Sequence, residues 1–200
     1  MTLGTDNTSP ALNSAPREPI IRCLQPSTFY VIVALIFVCD QFSKAWVRHM
    51  LYWGQTKPLI GNAFALTLTQ NTGGAWGLLP QGNLLFVGFA AVAVLALLFA
   101  YHRMQRIELL VGGAFALALG GALGNLLDRL RFGYVVDFFD ARIIHWPIFN
   151  IADSAISLGI VLLLLHFLRS HRIESEAGEH SLTPASPLAA EEVGSGSKEN

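Results

Sequence analysis

Four apolar runs dominate this sequence, at about residues 28–47, 84–101, 107–127 and 152–168. A helix needs roughly 20 residues to cross the hydrocarbon core of a bilayer, and each run is about that long. Backbone exposed to lipid must satisfy its own hydrogen bonds, which leaves few alternatives to a bundle of membrane-spanning α-helices. Composition agrees: of 200 residues, 52% are hydrophobic and only 14% charged, too apolar for an ordinary soluble domain. A net charge of −1 supplies no basic face, so nucleic acid is not an expected partner. Cys23 and Cys39 make no disulfide framework, and Cys39, inside the first run, reads as a small hydrophobe. No CxxC or His/Cys cluster suggests zinc, and nothing calls for a cofactor.

The ends of the chain differ from its middle. Residues 1–19 are polar, carry Pro10, Pro16 and Pro19, and lack the basic start and apolar core of a cleaved signal peptide. After His171, Glu, Ser, Gly and Pro dominate as far as Asn200. Neither tail has the apolar surface to offset its chain entropy. The reading is therefore a disordered tail over residues 1–26, a four-helix membrane domain over 27–170 and a second disordered tail over 171–200. Ser27, just before the first run, is the expected N-cap of its helix.

Between the first two runs, Phe64, Leu66 and Leu68 alternate with Ala65, Thr67 and Thr69. A period of two indicates a half-buried strand, and Asn71-Thr72-Gly73-Gly74 supplies a turn after it. The expected architecture is an all-α membrane protein of four transmembrane helices, with a small extracytoplasmic β-sheet between the first two. Orientation is weakly encoded. With the N-terminus inside, Lys and Arg divide seven inside against six outside, too even for the positive-inside rule to decide. The loop at 101–106 holds Arg103 and Arg106 and no acid, which favours inside and puts the polar clusters outside.

Residues 120–153 gather four Asp, three Arg and two Asn beside apolar spans. Ionisable groups are costly there and mark a functional site by default. In the third run, Gly112, Ala116, Gly120 and Gly124 recur every four residues, and the next step lands on Asp128. Residues so spaced share a helix face, and small ones admit a neighbouring helix. The face therefore leads Asp128 into the bundle.

Asn125, Asp128 and Arg129 lie one turn apart, close enough to bond one another; Arg129 could also hold a carboxylate or a substrate carbonyl. A polar helix end at the interface is the plainer account. Asp40 and Lys44, four apart, suit a helical ion pair. Ser43 and Lys44, being adjacent, point about 100° apart, which argues against a Ser–Lys nucleophile. Asn150 and Asp153 fit the N-cap and third residue of the fourth helix. Asp137 is harder to explain, because Val135-Val136-Asp137-Phe138-Phe139 otherwise reads as buried strand and an unpartnered charge there is expensive. Two carboxylates brought together suggest water activation with a shared proton. His145 is a weak candidate for a base; Trp146 reads as an interfacial anchor.

Five segments together carry a resemblance: Asp40-Gln41-Phe42-Ser43-Lys44, Asn71-Thr72-Gly73-Gly74-Ala75-Trp76, the run from Gly120 to Arg129, Val135-Val136-Asp137-Phe138 and Phe149-Asn150-Ile151-Ala152-Asp153. In this order, on four spans, they resemble the lipoprotein signal peptidase (signal peptidase II) family, the bacterial prolipoprotein signal peptidases. The resemblance implies an aspartic endopeptidase of the bacterial cytoplasmic (inner) membrane, with both termini cytoplasmic and its active site at the extracytoplasmic face. It implies Asp137 and Asp153 as the catalytic dyad, with Asn71, Gly73, Asn125, Asp128, Arg129, Asn150, Asp40 and Lys44 binding substrate or supporting the pair. The implied partners are diacylglyceryl-prolipoproteins, cleaved just before the lipidated cysteine, membrane lipid and globomycin-type inhibitors; a monomer is expected. Gly74 and Trp76 depart from the Ala and Phe of the pattern, which bears on pocket shape. The rival reading is a small ion or proton transporter using intramembrane carboxylates. Against it, the polar residues cluster at one edge, and no inverted repeat is evident.

Overall fold

The computed structural model describes residues 23–73, 83–104 and 107–181, the last eleven by their backbone only. Four helices are long and apolar enough to cross a membrane: α1 (Pro26–Met50), α2 (Asn83–Arg103), α3 (Leu109–Phe132) and the Ile151–Ser170 part of α4 (Ile151–Ser181). Between α1 and α2 lie β1 (Thr56–Ile60) and β2 (Phe64–Asn71); β3 (Val135–Ala141) and a 3₁₀ turn (Arg142–Ile144) join α3 to α4. The strands form one antiparallel sheet in the order β1-β2-β3. The expected sheet is present, but its third strand comes from the α3–α4 connection. Alternation within one segment cannot reveal which distant strand it will pair with.

Helix α3 is the central element. Of its spanning stretch 56% is buried, against 22%, 11% and 17% for α1, α2 and α4, and it packs on all three. Its four-residue rhythm of small side chains explains the close approach. All of Gly112, Ala116, Gly120 and Gly124 are buried. A Cβ on Gly124 would stand 2.5 Å from Asp40 Oδ2 of α1, and one on Gly121 would collide with the Ala152 carbonyl of α4. Most large side chains on the outer faces, Leu35, Phe89, Val92 and Phe167 among them, are more than half exposed and suit a lipid surround. Near the far end, Phe29 of α1 stacks on Tyr101 of α2 with ring centroids 3.7 Å apart.

The sheet has its own core. Val47 and Leu51, at the end of α1, are buried with Leu66, Leu68, Val136 and Phe138. Alternate strand residues point to opposite faces. With Val136 and Phe138 committed to this core, Asp137 is turned the other way, toward the helix ends.

Three boundaries differ from expectation. Helix α1 starts at Pro26 after Gln25, and no side chain caps it, so Ser27 is not the N-cap. Proline at the first helical position is preorganised, and the N–H it lacks would be unpaired anyway. The chain is built in from Cys23: Cys23 bridges Glu108, and buried Leu24 donates its N–H to the Ile107 carbonyl at 2.9 Å. At the other end α4 continues as helix to Ser181, past the expected limit at residue 170. Extending a formed helix needs no new nucleus, and Glu174, Glu176 and Ala177 are good helix formers. Of the expected tails, residues 1–22 and 182–200 lie outside the described residues.

Candidate active site

The end of α1, the end of α3, β3 and the start of α4 meet at one edge of the bundle. Asn150 precedes α4 and caps it. Its Oδ1 accepts the Asp153 N–H at 2.9 Å, and the Asp153 carboxylate accepts the Asn150 N–H in return at 3.3 Å. This reciprocal box ties down the first turn. A second cap comes from α1: Asp40 Oδ1 accepts the Ala152 N–H at 2.9 Å. Asp153 is thus held by its own helix in a place that suits a negative charge.

Asp137 reaches the same place from the sheet. The Asn150 amide nitrogen donates to its Oδ1 at 2.6 Å, and that of Asn71, at the end of β2, donates to its Oδ2 at 2.9 Å. Asn125 of α3 donates to Asp153 Oδ1 at 2.7 Å and accepts from the Asn150 amide at 3.1 Å. Two asparagines therefore link the carboxylates. Asp137 is almost fully buried, whereas Asp153 remains partly exposed. Burial, then the neighbouring Asp153 charge, push the Asp137 carboxyl up to about 7; the Asn71 and Asn150 amides and the Lys44 charge pull the other way.

Behind the pair is a second polar layer. Lys44 Nζ, 2% exposed as a residue, lies 2.8 Å from Asp40 Oδ2, 3.0 Å from Asp128 Oδ2 and 3.0 Å from Asn125 Oδ1. Asp128 Oδ2 also accepts the Val136 N–H at 3.1 Å, beside Asp137. The expected Asp40–Lys44 ion pair is present. Asn125, Asp128 and Arg129, expected to be able to bond one another, each turn to other groups among the described residues. Arg129 stacks over Phe86 of α2, 5.2 Å from the ring centroid, and its charge acts on Asp153, Asp137 and Asp128. Gly73 is buried just past β2. Gly74 and Trp76 lie outside the described residues. His145 and Trp146 are exposed.

One contributor was not singled out as a site residue. The Gln41 amide donates to Asp40 Oδ2 at 3.2 Å, to the Gly124 carbonyl at 3.2 Å and to Asp128 Oδ1 at 3.1 Å. Its position between Asp40 and Lys44 was the available signal. The backbone N–H groups of Val136 and Ala152 gave none, because every non-proline residue has one.

Four membrane helices holding two coupled carboxylates at one edge, with polar groups to orient them, have the parts of an aspartic hydrolase. The model of the signal peptidase (SPase) II family matches residues 32–169. The lipoprotein signal peptidase of Moorella thermoacetica is 44% identical over 140 residues, covering 70% of this chain and 92% of the relative. That of Halothermothrix orenii is 40% identical over 144 residues, covering 72% and 97%. A solved bacterial membrane enzyme superposes with a TM-score of 0.71 at 29% identity, over 76% of this chain and 94% of its own. The chain belongs to the signal peptidase II family, and is a multi-pass membrane protease.

Proposed function

We propose that this protease removes the signal peptide from diacylglyceryl-modified prolipoproteins, cutting just before the lipidated cysteine, with Asp137 and Asp153 as its catalytic pair. The observation that carries the assignment is the bridge of Asn125 and Asn150 between the two carboxylates. Asp153, at a helix N-terminus and partly open, is the ionised base. It takes a proton from water as the water oxygen attacks the scissile carbonyl carbon. Asp137 holds the shared proton, polarises the carbonyl oxygen, and gives that proton to the cysteine nitrogen as the C–N bond breaks. The pair still holds one proton afterwards, now on Asp153, and exchange with water resets it. Arg129 holds a substrate carbonyl, and Asn71, Asp128 and Asp40 keep the carboxylates in place.

The starts of α2 and α4 lie with the ends of α1 and α3, on the face that carries the sheet. We place that face outside the bacterial cytoplasmic membrane and both termini in the cytoplasm. A lipid-anchored cysteine just beyond a signal helix brings its scissile bond to that interface. Globomycin-type cyclic peptides would compete there. The test is cleavage of a diacylglyceryl-modified precursor by the purified enzyme and its Asp137→Asn and Asp153→Asn variants. Loss of cleavage in both, with the fold intact, is the expected result; wild-type turnover in either rejects the pair.

A further inference from the structure

Lys44 stands at the junction of the two backbone clamps that carry the carboxylates. On one side it pairs with Asp40 at 2.8 Å, and Asp40 holds the Ala152 N–H, next to Asp153. On the other it pairs with Asp128 at 3.0 Å, and Asp128 holds the Val136 N–H, next to Asp137. Its third contact is the Asn125 Oδ1, at 3.0 Å. An ammonium group only donates, so this contact forces the Asn125 carbonyl toward Lys44. The Asn125 amide nitrogen must then face Asp153, to which it donates at 2.7 Å. The three donors of the ammonium meet three oxygens, and almost no water reaches it.

We propose that Lys44 is a positioning residue that holds Asp137 and Asp153 at their working separation and fixes the direction in which Asn125 donates between the two layers. This rests on the reading of the two Asp as the catalytic pair. It asks more of Lys44 than the ion pair its spacing from Asp40 suggests. Without the cation, Asp40 and Asp128 repel, their clamps on α4 and β3 part, and Asn125 is free to turn over. Displacements of about an ångström are enough to cost on the order of a hundredfold in rate.

The experiment uses the full-length enzyme in detergent micelles, with a diacylglyceryl-modified precursor peptide as the probe. Lys44→Met removes the charge and keeps much of the stem. Lys44→Met combined with Asp128→Asn avoids two unpaired buried carboxylates, with Asp128→Asn alone as its reference. Lys44→Arg keeps the charge but presents a planar fork in place of a compact ammonium. The expected result is a fall in kcat of about a hundredfold in folded Lys44→Met, and of the same order for the double variant relative to Asp128→Asn, with KM little changed. Lys44→Arg should fold and lose up to about a hundredfold in kcat, because the planar fork cannot hold the same three oxygens.

The pH profile gives a second readout. The groups around Asp137 are Asp153 of α4, Asn150 just before it, Asn71 of β2, Lys44 of α1 and Asp128 of α3, whose carboxylate holds the neighbouring Val136 N–H, with Arg129 of α3 acting at longer range. The Lys44 charge favours ionised Asp137, so its loss in Lys44→Met should move the alkaline limb of kcat/KM to higher pH. A limb that did not move would overturn the coupling between Lys44 and Asp137 on which the proposal rests. Wild-type kcat in any folded Lys44 variant overturns the proposal. So does failure of all three to fold, Lys44→Arg included, since Lys44 would then serve stability. Because the Asp137 and Asp153 variants are judged separately, failure here leaves the assignment of the pair standing.

Discussion

Asp137 and Asp153 accept the same number of hydrogen bonds, so counting donors does not divide their labour. Their settings do. Asp137 is almost fully buried beside the helix ends, while Asp153 lies at a helix N-terminus with partial access to water. Either Asp→Asn change should abolish cleavage, and binding of the lipidated precursor or of globomycin should survive better in Asp137→Asn, which resembles the neutral acid. Weaker binding by Asp137→Asn would reverse the roles. A raised Asp137 also predicts that kcat/KM declines above about pH 7 as the acid is lost, with a limb that belongs to the pair. Stability has a matching dependence. Between about pH 4 and 7 the folded protein keeps a proton that the unfolded chain has released, so stability falls as pH rises through that window, by at most roughly 4 kcal/mol. Thermal unfolding of Asp137→Asn should show a flatter profile across the same range.

The elements differ in how far they could be read from the sequence. Helix α3 is the contact plane for its neighbours, so each small side chain facing α1 is a separate test. Gly124→Ala puts a methyl group against Asp40. Overpacking of this kind costs about 1–3 kcal/mol, and here it also displaces the cap on α4. A lower unfolding temperature together with reduced activity is expected; an unaffected variant would mean that α1 has room to shift. The four helices were legible because lipid leaves so few ways to satisfy a backbone. Capping of α4 was legible too, since Asn150 and Asp153 stand at the right spacing. The strand character of Val135–Phe139 was visible, but its partner was not, because pairing with Phe64–Asn71 joins segments far apart in the chain. Nor was the clasp of Asp40 on Ala152, which depends on where a backbone N–H ends up.

For the whole molecule, an even number of spans returns the chain to the face it started from, and the sheet lies on the other. A cysteine probe introduced at Thr67 or Gln70 should react with an impermeant reagent in intact cells, and one at Ser195 should be spared; labelling of Ser195 from outside would reverse the map. Removing residues 174–200 takes away part of the α4 extension and none of the site. Processing at equal protein level is expected to persist, and its complete loss would reveal a role for that segment. The bond from Asp40 to Ala152 spans 112 positions of sequence and joins the first helix to the last. During synthesis, then, a chain with three spans inserted carries Asp137 but neither Asp153 nor the α4 turn that Asp40 clasps. With Asp137 and Asp153 as the proposed pair, the hydrolytic centre is complete only with the fourth span, and a stalled or truncated chain is expected to cleave nothing beside it.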